Sequence, residues 1–362
     1  MTVFKFSILK IFLIWYLSII SIFLIGFNFF PKNSTAYSTF FNNFANWDGK
    51  HFLDVAENGY LFFNNTPFFP LYPILIKLLT FITQSYLASA LIISAVSFYL
   101  ALIFLYKLAA LEFNKQIAKK AIFYILIFPT SFYFITAYSE SLFLLLTVLS
   151  FYFFKRSLMA DAGKKEIWLA SFFAVLSSLT RFVGIAVCLG LIIDVLWKKK
   201  SFKKSWPIFL SPIGTVAYCI YIYFLTGDPF YYSKVESFWG RFVDYPWMSF
   251  VRSYYTIAYT NVNYDYLSRV IELLFTILGL GLAVRSFRFL PKKYSFYALI
   301  SLLIPISTST LLSIPRFILP IFPFYILIAL IKRPLANYVY IFISTTLLIV
   351  FSILFINGYW VS

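Results

Sequence analysis

Ser7 to Phe30, SILKIFLIWYLSIISIFLIGFNFF, carries a single charged residue, Lys10. It is long enough to cross a bilayer as an α-helix, which takes about 20 apolar residues. Runs of this kind recur along the chain, at about 86–110, 117–135, 138–154, 167–180, 182–197, 206–226, 266–286, 295–312, 315–331 and 336–357. A mean hydropathy of +0.86 and a charged fraction of only 12% exclude a soluble globular domain. The runs are continuous rather than alternating, which excludes a β-barrel. The expected fold class is therefore an all-α polytopic membrane protein with about eleven transmembrane helices in a single domain, 1–362. Ser7–Phe30 lacks a small-residue cleavage site and reads as a retained first helix. Segment 67–84, proline-broken and short, reads as well as an interfacial or re-entrant helix as it does as a span. Helices interrupted at Ser178–Gly184 and Ser313–Arg316 suit backbone that lines a cavity rather than lipid. Cys188 and Cys219 lie inside apolar runs, so neither a disulfide framework nor a zinc site is expected.

The net charge of +17 first raises nucleic acid as a partner. In a polytopic protein orientation explains it better, because Lys and Arg collect on cytoplasmic loops. With the N-terminus inside and 67–84 left as non-spanning, the basic clusters fall on one side. They are Lys5 and Lys10; Lys107, Lys115, Lys119 and Lys120; Lys155, Arg156, Lys164 and Lys165; Lys198, Lys199, Lys200, Lys203 and Lys204; Arg285, Arg288, Lys292 and Lys293; and Lys332 with Arg333. This arrangement predicts a multi-pass cell-membrane protein in contact with anionic lipids, and no nucleic-acid binding. The two longest non-spanning segments, 31–66 and 227–264, then both face outward.

Within the first of these loops, Asn46–Tyr60 reads NWDGKHFLDVAENGY and holds the chain's only histidine, His51. Projected as a helix, Asp48, His51, Asp54 and Asn58 share one arc and an apolar set fills the other. Such a helix should lie flat in the membrane interface. Asn46 is expected to cap it. Asp48, beside the helix N-terminus, either helps cap its own helix or stays ionised as a proton acceptor. Further polar residues at membrane level converge on the same outer face: Tyr138 and Glu140, Arg181, Asp228 in Gly-Asp-Pro, and Arg316 after Pro315. Ionisable groups at that depth usually face a cavity or a partner. Glu140 and Arg181 read either as a structural ion pair or as part of a site in which arginine binds an anionic headgroup. Arg316 admits the same two readings. His51, without a second histidine, is expected to hydrogen-bond rather than ligate a metal. Asp228 is expected to make a turn.

Asn46–Tyr60 resembles the PIG-V-type mannosyltransferases, which carry a W-D-G/x-x-H-F/Y…A-x-x-G-Y signature after their first span. Phe68-Phe-Pro-Leu-Tyr-Pro73, Tyr138-Ser-Glu-Ser-Leu-Phe143, Leu179-Thr-Arg-Phe-Val-Gly184, Gly227-Asp-Pro229 and Pro315-Arg-Phe…Pro320-Ile-Phe-Pro323 have counterparts there in the same order. The resemblance runs through about residues 40–330. It implies a GT-C glycosyltransferase working on the non-cytoplasmic face. Such an enzyme moves a sugar, mannose by the family pattern, from a polyprenyl-phosphate donor to a lipid-linked or glycan acceptor. The family's catalytic aspartate matches Asp48. Eukaryotic members add the second mannose of the GPI anchor; this shorter, Lys/Ile/Phe-rich chain reads as a prokaryotic relative. No Gly-rich phosphate loop or DxD pair is present, consistent with a donor that brings its own phosphate. Asp48 is the candidate base and Arg181 or Arg316 the phosphate partner. His51, Tyr138 and Glu140 are candidate substrate-binding residues. No cofactor and no metal ligand set are assigned, and a divalent ion stays open. The competing class is a transporter or flippase for a lipid-linked or anionic substrate. It would place its polar residues near the midplane, with repeat symmetry.

Overall fold

The structure, a computed structural model, describes residues 7–159, 164–198 and 205–361. Lys5, Lys199, Lys200, Lys203 and Lys204 of the expected basic clusters lie outside them. The described chain is helical, and its only β-type pairing is an isolated antiparallel bridge, Val243 to Thr308. Four long helices, α1 (Ile8–Phe29), α4 (Tyr86–Glu112), α12 (Tyr264–Phe289) and α16 (Pro334–Ile356), are apolar and long enough to cross a membrane. So is the unit Trp206–Thr226, a 3₁₀ turn followed by α9 (Ile213–Thr226); the short helices α10 (Tyr231–Glu236) and α11 (Met248–Tyr259) then lie in the loop 227–264. The other expected spans are shorter helices. They are α5 (Lys115–Leu126), α6 (Glu140–Arg156), α7 (Lys164–Thr180), α8 (Ile185–Trp197) and α13 (Lys292–Ile306), followed by α14 (Ile314–Ile318) and α15 (Pro323–Ala329). Among the described residues five helical units are thus long and apolar enough to cross a membrane, fewer than the eleven expected, and the other expected spans are shorter helices.

Helix starts follow the local chemistry. Ser7, Ser85, Asn114 and Asn263 each accept a backbone N–H of the first turn at the heads of α1, α4, α5 and α12. Segment 67–84 forms α3 (Leu71–Thr83), about 20 Å long and reversed onto α4 through Gln84 in the left-handed region (φ 56°).

Helix α6 is apolar all round and is buried from Glu140 through Phe151, the behaviour of a central rather than a surface helix. Helices α4 and α7 pack on it. Its buried Ser150 donates to Ala170 O at 2.8 Å, so its hydroxyl is satisfied in the dry interior.

Both expected interruptions are present. Helix α7 stops at Thr180, Arg181 is extended (φ −154°, ψ 146°), and a 3₁₀ turn at Phe182–Gly184 leads into α8. The break is held by close backbone approach. A Cβ on Gly184 would sit 2.5 Å from Ser177 O, and one on Gly214 would sit 2.3 Å from Val175 O. Gly184→Ala is therefore expected to destabilise the protein by about 1–3 kcal/mol. Thermal unfolding in detergent measures this; an unchanged midpoint would mean that the break relaxes freely.

The bundle has two polar ends. At one, Glu112 on α4 receives Lys155 Nζ at 2.9 Å, Lys293 Nζ at 2.8 Å and Tyr294 Oη at 2.7 Å. At the other end of α6 lies Glu140, about 22 Å from Lys155 along the helix axis. The ends of α4, α6 and α13 thus meet at one end of the bundle, opposite Glu140.

Candidate active site

Asp48 opens helix α2 (Asp48–Asn58). Its approach differs from the expectation. Asn46 does not cap the helix; Trp47 holds that position with no side-chain capping bond. Asn46 is drawn inward instead. Its Nδ2 donates to Phe355 O at 2.8 Å, satisfying a carbonyl in the last turn of α16, and its own carbonyl accepts from Tyr138 Oη at 2.6 Å. With Asn46 clamped on both sides, Trp47 is forced to φ 56°, ψ −119°, costly for a bulky L-residue. The chain thus turns sharply into α2 and places Asp48 in the first turn, where the helix dipole favours a carboxylate.

Asp48 does not cap its own helix either. Its Oδ2 lies 2.7 Å from Arg316 Nη1. Arg316 Nε lies 3.6 Å from Glu140 Oε1, and Glu140 Oε1 is also paired with Arg181 Nη1. Four residues from four separate motifs therefore alternate in charge: Asp48, Arg316, Glu140, Arg181. The Glu140 side chain is fully buried and Arg316 is 6% exposed, whereas Asp48 is 27% exposed. The guanidinium of Arg316 also lies over Tyr138 and Tyr133, at 5.4 Å and 5.6 Å from the ring centroids. Arg181 Nη1 also donates to Ser139 Oγ at 3.4 Å.

This chain of charges borders a cavity of about 1120 Å³ that Asp48, His51, Arg181 and Arg316 line. Tyr138 and Glu140 are not on its wall. Tyr138 is buried, with its hydroxyl engaged on Asn46, so its place is behind the site rather than against a ligand. Glu140 sits behind the arginines as their counterion. His51 Nδ1 is 2.8 Å from Asn65 Oδ1. Asp228 makes the expected turn, accepting from Phe230 N at 2.9 Å and pairing with Lys234 at 2.6 Å. It does not line the cavity.

The second loop supplies wall residues that the sequence reading left unassigned: Glu236, Trp239 and Arg241, joined by Asp265 and Arg269 from α12. Pairing with 307–309 carries the loop there, through Ser309 N to Phe242 O at 2.8 Å and Asp244 N to Ser307 O at 3.1 Å. Arg241 Nη2 then donates to Leu312 O. Burial lowers the Arg241 guanidinium from its usual value, against the pull of Glu236. Burial likewise raises the Glu236 carboxyl; Arg241 opposes this and the charge of Asp48 adds to it. The only local signal for these residues was charge in an aromatic loop, Glu236 and Arg241 on either side of Phe238 and Trp239. Among the described residues no group of three or more His, Cys, Asp or Glu could hold a metal ion. Asp48 and Glu140 are each paired with arginine.

Helical architecture and polar site together define a polytopic membrane protein with the GT-C glycosyltransferase fold. The solved structure of ArnT from Cupriavidus metallidurans bound to undecaprenyl phosphate is similar, with a TM-score of 0.56 at 13% identity over 91% of this chain and 62% of that one. The Archaeoglobus fulgidus oligosaccharyltransferase in its apo form superposes with a TM-score of 0.50 at 11% identity, over 98% of this chain and 56% of that one. The chain thus spans less than two thirds of the length of either. No curated protein matches it in sequence. The profile of the mannosyltransferase (PIG-V) family matches residues 21–257, and the chain belongs to that family.

Proposed function

We propose that this protein is a membrane glycosyltransferase. It moves a sugar, mannose by family, from a polyprenyl-phosphate donor to a lipid-linked or glycan acceptor on the non-cytoplasmic face. The whole chain acts as one GT-C transmembrane domain, with the loops 31–66 and 227–264 building the site. The observation that carries the reading is Asp48. It is a partly exposed carboxylate at a helix N-terminus, on the wall of a large cavity, with one oxygen held by a buried arginine. The undecaprenyl phosphate in the ArnT structure supports a lipid phosphate as the donor carrier.

In the proposed reaction the acceptor hydroxyl oxygen bonds to the anomeric carbon of the donor sugar. The bond from that carbon to the phosphate oxygen breaks, and its electron pair leaves with polyprenyl phosphate. The hydroxyl proton goes to Asp48, as it goes to the base in an inverting displacement by water. Arg316 keeps Asp48 oriented. Asp48, Arg316, Glu140 and Arg181 are together neutral, so the quartet alone does not offset an added phosphate. Arg181 keeps donors beyond the Nη1 used on Glu140, and Arg241, facing Glu236, adds a further cation on the wall. These two are assigned to the phosphate. The clustering of the polar wall at one end of α6 supports an enzyme open to one face.

Purified protein in lipid nanodiscs, given polyprenyl-phosphate mannose or glucose with candidate acceptors, tests the reading by release of polyprenyl phosphate. Absence of release from every donor, with lipid movement across the bilayer instead, would establish the transporter class. Arg181→Ala is expected to weaken donor binding by about tenfold or more, the value of one charge-assisted hydrogen bond. Titration of donor against the variant checks this, and an unchanged affinity would remove Arg181 as the phosphate partner.

A further inference from the structure

His51 is the chain's only histidine, and its ring is held on three sides. It stacks on Phe68 with centroids 4.7 Å apart and an interplanar angle of 11°, and Trp239 meets it edge-on at 5.8 Å. Its Nδ1 is 2.8 Å from Asn65 Oδ1. Asn65 is 2% exposed, and its Nδ2 donates to Asp54 Oδ2. The other oxygen of Asp54 accepts from Asn58 Nδ2 at 2.8 Å.

These bonds determine one another. An ionised carboxylate only accepts, so the amide nitrogen of Asn65 must face Asp54 and its carbonyl must face the imidazole. A carbonyl also only accepts, so Nδ1 of His51 must carry a proton. In the neutral ring Nε2 is then the bare nitrogen, an acceptor. His51 lies one helical turn after Asp48 on α2, and both line the cavity.

We propose that His51 is a substrate-binding residue that accepts a hydrogen bond at Nε2 from a sugar hydroxyl, and that Asp54 and Asn65 are positioning residues that hold it in this tautomer. The nature of the ligand rests on the transferase reading; the tautomer does not. Trp239, 44% exposed and on the same wall, offers a flat apolar surface to the C–H face of a pyranose while its hydroxyls reach His51. The hydroxyl belongs either to the donor sugar or to the acceptor sugar.

Full-length protein purified without a histidine tag, labelled with nitrogen-15 histidine and held in nanodiscs, gives the spectrum of a single imidazole. The expected spectrum has a protonated Nδ1 and a bare Nε2. Asp54→Asn, which lets the Asn65 amide turn over, is expected to give a mixture of tautomers. Polyprenyl-phosphate mannose and methyl α-mannoside are then added separately. A shift of the Nε2 resonance with the lipid donor alone assigns the hydroxyl to the donor sugar; a shift with methyl α-mannoside assigns it to a free or acceptor sugar. A protonated Nε2 with a bare Nδ1, or no response to either probe, overturns the proposal.

Transfer activity supplies a second test. Glutamine places its carbonyl near the position of Nε2, whereas asparagine reaches only to Nδ1. His51→Asn should therefore be about tenfold less active than His51→Gln. Equal losses would overturn the proposal. If wild-type protein releases no polyprenyl phosphate yet shows the expected tautomer and responds to methyl α-mannoside, the transferase reading fails and the hydroxyl site stands.

Discussion

Asp48→Asn is expected to lower sugar transfer by about 10²–10⁴-fold, the usual contribution of a positioned general base. Asparagine keeps the volume, and its carbonyl can still accept from Arg316, so the geometry of the quartet should survive. What is lost is the charge that draws the acceptor proton. Arg316 retains Glu140 at 3.6 Å, which limits the structural effect of the substitution. Donor affinity should therefore change little while single-turnover release of polyprenyl phosphate falls. Measuring both on the same preparation separates a base from a binding residue, because loss of a purely structural carboxylate would depress affinity and thermal stability together. Near-normal release from Asp48→Asn would place the proton acceptor elsewhere, with Glu236 on the same cavity wall next in line.

The second large effect is expected on stability. Glu140 is fully buried and is the shared counterion of Arg181 and Arg316. Removing one member of a buried charge cluster strands the remaining charge, at about 3–5 kcal/mol. Arg181 lines the cavity with 14% of its side chain exposed, so water reaches part of the stranded guanidinium, and Arg316 still holds Asp48. Glu140→Gln should then cost about 3 kcal/mol, at the lower end of that range. Glu140→Gln combined with Arg181→Met should cost less than the sum of the two single changes, since the stranded partner leaves with the first. Thermal unfolding of the two single variants and the double variant closes this cycle. Strict additivity would show that the pair is not coupled.

Residues within the site were legible to different degrees. Asp48 stood out because it heads the charged stretch of the first loop and matches the family's catalytic aspartate, and Arg181 and Arg316 because a charge inside an apolar run is costly and needs a local reason. Glu140 stood out for the same reason, although its place proved to be behind the cavity wall. Tyr138 was singled out by the same motif, yet its hydroxyl is consumed in clamping Asn46. Trp239, Glu236 and Arg241 were not visible as wall residues, because a polar loop tolerates such residues anywhere along it. Only its pairing with 307–309 brings that loop over the cavity.

What the sequence by itself determined is the class. Length and apolarity set the long spans, and buried charge marked the polar end, because each depends on the energy of short segments in lipid or water. What only the tertiary structure decided is which charges meet. The sequence left Asp48 between a cap and a base, and Arg181 and Arg316 between structural pairs and a phosphate site. Asp48, Glu140, Arg181 and Arg316 stand as many as 268 positions apart, the span from Asp48 to Arg316. Their alternation arises from helix packing that no local pattern encodes. The same packing turns Trp47 to positive φ and thereby aims the carboxylate of Asp48 at Arg316 rather than at its own helix.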